Sequence, residues 1–109
     1  MFHMLSSFNL PEAVSEAEFQ TALDRFHELL VARDLVVETA PLGRRVRHPV
    51  MDTDEDRALA YYFLMSFRDR AQCDEAVKVL YRNEPPLAEV HQAVWARVED
   101  AVFTCWEDI

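Results

Sequence analysis

The sequence predicts one α+β domain spanning residues 1–109, with an antiparallel sheet and its helices gathered on one side. Three observations predict it. Strand-type and helix-type hydrophobic periods alternate in the order β-α-β-β-α-(α)-β. The run YYFLMSF at Tyr61–Phe67, rich in aromatic residues and following the acidic connector, is the strongest strand signal in the chain. A chain of 109 residues can close one hydrophobic core but cannot divide into two.

The elements follow in order. Phe2 to Asn9 mixes β-formers with small polar residues and stops at Asn9-Leu10-Pro11, which makes it the first strand. Ser15 followed by Glu18 is a capping box, and Phe19, Leu23, Phe26 and Leu30 then fall on one helical stripe, giving a helix from Ser15 to Arg33. Leu35-Val36-Val37 opens a second strand that passes Pro41 and Gly43 and ends near Arg47; it should be broken or bulged, because proline donates no ladder hydrogen bond. After the acidic connector Asp52–Asp56 comes the strand Tyr61–Phe67. Asp69 with Gln72 three residues on caps a second helix carrying Cys73, Ala76, Val77 and Leu80, which ends at Arg82-Asn83 before Pro85-Pro86. Those prolines start a short third helix with Leu87, Val90, His91, Val94, Trp95 and Val98 on its stripe. Residues 101–106 read either as a continuation of that helix or as a strand; the β-rich run Val-Phe-Thr-Cys-Trp favours the strand. With that choice the order is the ferredoxin-like split βαβ arrangement, a four-stranded antiparallel sheet.

Half of the residues are apolar and 28% are charged, an ordinary globular mix that argues against disorder. Eleven Lys and Arg against twenty Asp and Glu give a net charge of −9, which repels phosphate backbones and anionic lipids, so neither nucleic acid nor a membrane is expected as a partner. The segment Met1–Leu10 has no basic lead and no uninterrupted apolar run, so it resembles neither a signal peptide nor a membrane span, and a cytoplasmic protein is expected. Cys73 and Cys105 lie in apolar patterns without CxxC spacing and are expected to be buried, reduced thiols.

The face of the sheet away from the helices should alternate toward charged residues if water covers it. It does not: His3, Leu5, Ser7 and Asn9 in the first strand, and Tyr62, Leu64 and Ser66 in the third, include no Lys, Arg, Asp or Glu. Such a face suits an interface or a partly closed cavity, and a second copy of the chain is the simplest cover. In this pattern the chain resembles the dimeric α+β barrel superfamily, in which two ferredoxin-like sheets face each other and enclose a cavity in each subunit. The opening MFHMLSSFNL, the connector MDTDED, the turn FRDRAQCD and the ending AVFTCWED also resemble a small bacterial family of unknown function, a likeness that carries no catalytic residue with it. The superfamily resemblance implies anything from cofactor-independent monooxygenases, haem-degrading enzymes, isomerases and decarboxylases to proteins without known chemistry; fold does not choose among them.

On the expected open face, His3 is a titratable group among neutral hydrogen-bonding side chains, which makes His3 and Tyr62 the candidate catalytic pair and Ser7, Asn9, Ser66 and Trp106 the candidate ligand contacts. The plainer reading of His3 is an inert, half-exposed residue near the chain start; a Trp at helical spacing among valines, as Trp95 is, more often simply packs, and the strand face of Trp106 stays open. Arg44, Arg45 and Arg47 form a candidate anion site, set against internal pairing with the acidic connector downstream. No metal or cofactor is expected. Asp52, Asp54 and Asp56 imitate a calcium loop, but Arg57 stands where that loop needs glycine and Phe63 where it needs glutamate. His27, His48 and His91 share no zinc-site spacing, and His91 reads as a core histidine. Gly43 is the only glycine, which argues against a phosphate-cradling loop. The functional expectation is a homodimer with a cavity for a small hydrophobic or aromatic molecule, either a monooxygenase- or isomerase-like enzyme or a non-catalytic binding or interaction module.

Overall fold

A computed structural model describes the whole chain, residues 1–109. It runs β1 (Phe2–Asn9), α1 (Glu16–Ala32), β2 (Glu38–Thr39), β3 (Gly43–Arg44), β4 (Tyr61–Phe67), α2 (Arg70–Tyr81), α3 (Leu87–Trp95) and β5 (Glu99–Glu107). The sheet order is β2-β4-β1-β5, with β3 also on β4 and every pairing antiparallel. β2 and β3 are two halves of one strand interrupted around Pro41, where the ladder lacks a donor. The ambiguous final segment is a strand, β5, and it completes the ferredoxin-like arrangement.

The expected caps form. Ser15 Oγ accepts from the Glu18 amide at 3.1 Å, but the Glu18 carboxylate turns away to Arg97 Nε at 2.8 Å, so only half of the capping box closes. Asp69 accepts from the Gln72 amide at 2.8 Å. Gln72 is itself buried and fully used: its Oε1 accepts from the Arg68 amide and its Nε2 donates to the Asp34 carbonyl.

The pairing register separates the two faces. Phe2, Met4 and Ser6 sit opposite Phe67, Met65 and Phe63 of β4 on one side and Glu107, Cys105 and Phe103 of β5 on the other, and this set faces the helices. There Phe8, Phe63, Met65 and Phe67 join Phe19, Leu23, Phe26 and Leu30 of α1, together with Leu87 and Val94, in one core. His3, Leu5 and Ser7 share the opposite face with Ser66, Leu64 and Tyr62 of β4 and with Trp106, Thr104 and Val102 of β5. An extra residue at Asp100, with φ of 57°, makes a bulge in β5 opposite the end of β1. The domain measures 41 × 39 × 18 Å, a thickness that holds one sheet and one helical layer and leaves the second sheet face bare.

Cys73 is buried as expected, whereas Cys105 is exposed. The cause is position: β5 is an edge strand with most of its residues exposed, so an apolar pattern there does not produce burial.

Candidate functional site

The bare sheet face brings the sequence candidates together around His3. Its Nε2 lies 2.9 Å from Asp108 Oδ1 and its Nδ1 2.8 Å from Ser66 Oγ, and its ring stacks on Trp106 with centroids 5.1 Å apart. A carboxylate only accepts, so Asp108 fixes the proton on Nε2 and leaves Nδ1 of the neutral ring to accept from the Ser66 hydroxyl. The His3 hydrogen bond in turn holds the Asp108 carboxyl below its ordinary range. The chain of contacts is Ser–His–Asp in composition, but it lacks a nucleophile's access. Ser66 is 3% exposed between its two strand neighbours, and its carbonyl is taken by the Val37 amide.

The other open-face candidates are also engaged. Asn9 spans its two neighbouring strands, accepting from the Ala60 amide at 3.0 Å and donating to Asp100 at 3.2 Å. The Tyr62 hydroxyl reaches the Leu59 carbonyl at 3.4 Å. Ser7 lies between Tyr62 and Val102 in the register and half-buried.

The three arginines diverge. Arg44 grips Glu16 through Nε at 2.7 Å, and the Tyr61 hydroxyl donates to the same carboxylate at 2.9 Å; Arg44 first and Tyr61 second hold Glu16 down to about 2. Arg45, only 8% exposed, binds Asp52 bidentately at 2.8 and 2.7 Å and also donates to the carbonyls of Asp54 and Arg57. Arg47 donates to the Asp54 carbonyl at 2.8 Å. Arg45 and Arg47 thus tie down the acidic connector, and Arg44 ties β3 to the start of α1.

A second locus lies on the other side of the sheet, between it and the helices. This is a cavity of about 250 Å³ lined by twelve residues, ten of them hydrophobic. Ser6, Phe63 and Met65 form its floor, Phe26 of α1 and His91 of α3 one wall, and Val77, Tyr81, Trp95 and Phe103 its exposed mouth. Ser6 is 1% exposed, and its Oγ has no hydrogen-bond partner. A buried hydroxyl left unpaired costs about 1–3 kcal/mol, so its presence calls for an explanation. His91 packs against Phe26 with ring centroids 5.3 Å apart and planes tilted by 34°, and burial alone lowers its pKa, which favours the neutral ring. The pair Ser6 and His91 offers a donor-acceptor hydroxyl and a neutral imidazole inside a mostly apolar chamber. Small-molecule sites have this composition: apolar walls with a few convergent polar groups.

The sequence singles out neither residue for binding: Ser6 stays unassigned within the first strand, and His91 reads as a core histidine. One signal was present: strand alternation puts Ser6 on the same face as Phe2, Met4 and Phe8, where a small polar residue among bulky apolar ones has no packing reason.

No protein-family model matches this sequence, and no curated protein matches it. Solved structures do. A protein of Arabidopsis thaliana superposes with a TM-score of 0.78 at 9% identity, covering 100% of this chain and 96% of that one. A cofactor-independent oxygenase of Streptomyces nogalater superposes with a TM-score of 0.69 at 14% identity, covering 98% and 91%. A dimeric ferredoxin-like protein of unknown function from Jannaschia superposes with a TM-score of 0.66 at 15% identity, covering 98% of each chain. At such identities what is shared is the fold, and the chain has a ferredoxin-like fold.

Proposed function

We propose that the protein is a homodimer closed across its bare sheet face, and that the helix-side cavity of each protomer takes a small, largely apolar molecule on which it acts in the manner of a cofactor-independent monooxygenase or isomerase. The unpartnered Ser6 hydroxyl in an otherwise apolar chamber carries this reading. In it Ser6 orients the ligand and the neutral His91 ring accepts a proton from it. The Streptomyces nogalater oxygenase, a cofactor-independent enzyme, has the same fold, so the fold is compatible with this reaction class without selecting it.

The dimer is supported by the apolar patch of Leu5, Leu64, Tyr62 and Val102 on the bare face, with the charged Glu38 and Asp108 beside it, by the 18 Å thickness, and by the dimeric Jannaschia protein of the same fold. In this reading His3, Ser7, Ser66 and Trp106 belong to the subunit interface, with Asn9 and Tyr62 at its margin. Free Cys73 and Cys105 accord with a reducing cytoplasm.

Light scattering behind a sizing column checks the dimer: twice the 12.7 kDa chain mass is expected, and a clean monomer at micromolar concentration refutes it. Turnover of phenols and quinols, followed by oxygen uptake and by product spectra, checks the chemistry. His91→Gln should bind the same molecules without converting them. Because no carboxylate or cationic side chain lines the cavity, a purely binding role is the second reading. Saturable binding without turnover across the panel would establish it instead.

A further inference from the structure

Taking the helix-side cavity as the small-molecule site, we infer that its ligand is an uncharged molecule of one or two fused rings bearing a single hydroxyl or carbonyl group that hydrogen-bonds Ser6 Oγ. Three observations on the cavity fix the three parts of this description.

Size comes first. An apolar cavity of about 150 Å³ accommodates benzene, so about 250 Å³ has room for a second ring but not for a polycyclic scaffold. Ser6 also borders a separate recess of about 30 Å³ beside Phe8, Val98 and Ala101, so growth past the hydroxyl is limited to one methyl-sized group.

Shape and charge come second. The walls are flat aromatic faces: His91 lies 5.3 Å from Phe26, and Trp95 and Phe103 stack at 6.3 Å with only 19° between their planes. Planar rings pack on such faces in offset or edge geometries that flexible chains do not reproduce. An ionised carboxylate or ammonium in this chamber would meet no opposite charge, and burying it unpaired would cost far more than the ring contacts return.

The polar group comes third. Ser6 Oγ has both a donor and acceptor lone pairs available, with nothing in the chain to use them. A ligand hydroxyl or carbonyl that bonds it restores about 1.4 kcal/mol, a tenfold gain over the same ring system without that group.

The test uses the full-length protein and a matched set of probes: 2-naphthol, naphthalene and 2-naphthoate, titrated by calorimetry and by ligand-observed NMR. Naphthol is expected to bind about tenfold tighter than naphthalene and than naphthoate. Ser6→Ala should bring naphthol down to the naphthalene affinity while leaving naphthalene unchanged. Val77→Trp, at the exposed mouth where it cannot disturb the fold's core, should abolish binding of both. Naphthoate binding as tightly as naphthol, or a naphthol preference that survives Ser6→Ala, overturns the ligand assignment while the cavity reading stands. No binding of any probe by the folded protein, or binding untouched by Val77→Trp, overturns the cavity reading itself.

Discussion

Removing the Ser6 hydroxyl should stabilise the ligand-free protein. The Oγ is sealed from solvent and unpaired, so it carries a desolvation penalty of about 1–3 kcal/mol that alanine does not. Ser6→Ala deletes one oxygen and leaves the Cβ in place, and the void it adds borders an existing cavity, so the packing loss is a few tenths of a kcal/mol. Alanine and serine are both indifferent strand formers, and the backbone stays in the central strand β1. The net expectation is a gain of about 1 kcal/mol. In equilibrium urea unfolding that is a midpoint shift of about 0.5 M at unchanged slope, and in thermal melting a rise of about 4 °C for a domain of this size. Both are to be measured at one fixed protomer concentration, because dimerisation couples to stability. A loss of more than about 0.5 kcal/mol would refute the reasoning, since it would mean that the hydroxyl has a partner in the folded protein. A stabilising mutation that weakens ligand binding is the expected signature of a polar group kept for function.

Three further outcomes are expected. Burial, outweighing the opposing pull of Asp24, lowers His27 to about 4 from 6.5, so between those values the unfolded chain binds the extra proton; stability should be full above pH 6.5 and fall by about 3 kcal/mol as pH drops toward 4. Chemical denaturation across that range, compared with His27→Phe, checks this, and an unchanged slope in the variant would count against it. Phe19, wholly buried between α1 and the sheet, should cost about 3–5 kcal/mol when changed to Ala, a large share of a typical domain's total. A loss below about 1 kcal/mol in urea unfolding would mean the site collapses around the void. Arg45→Met should release the connector that the guanidinium holds at Asp52, Asp54 and Arg57. Amide exchange over residues 52–60 should then speed up well before the β1 and β4 amides change, and equal exchange in both proteins would show that the loop holds itself.

The architecture was legible because each element carries its own local instruction. Ser15 and Asp69 announce the two long helices through short side-chain caps, the period of Phe19, Leu23, Phe26 and Leu30 sets the buried face of α1, and Pro41 dictates the break between β2 and β3. Exposure on β5 was not legible, because whether Cys105 is covered depends on β5 being the sheet edge, a property of topology and not of its own residues. The cavity was hidden for a related reason. Val77 and Trp95 lie on stripes that read as core, and only the spread of α2 and α3 over the sheet turns those stripes into a mouth. The pairing of Arg45 with Asp52 was visible as opposite charges seven residues apart, whereas the Arg44 contact to Glu16 joins residues 28 apart and needs the fold to bring them together.

β1 carries polar side chains into both layers, and their different fates argue for where a ligand binds. On the bare face His3 spends one nitrogen on Asp108 and the other on Ser66 and lies flat on Trp106, so the hydrogen-bonding capacity of its ring is already used within the chain. A ligand there would first have to break a contact. Three residues on, Ser6 faces the helices from the floor of the cavity, with all of its hydrogen-bonding capacity unused. Folded proteins rarely leave a buried polar atom unpaired, and of the two such atoms here, Ser6 Oγ and His27 Nε2, only Ser6 lies on the floor of the apolar cavity, where a ligand can supply the partner. His3→Asn tests this division of labour. It should lower the dimer's stability, read as dissociation on dilution, and leave naphthol affinity within about twofold, a change of about 0.4 kcal/mol. A large loss of affinity with the dimer intact would move the ligand to the bare face and return His3 to the centre of the chemistry.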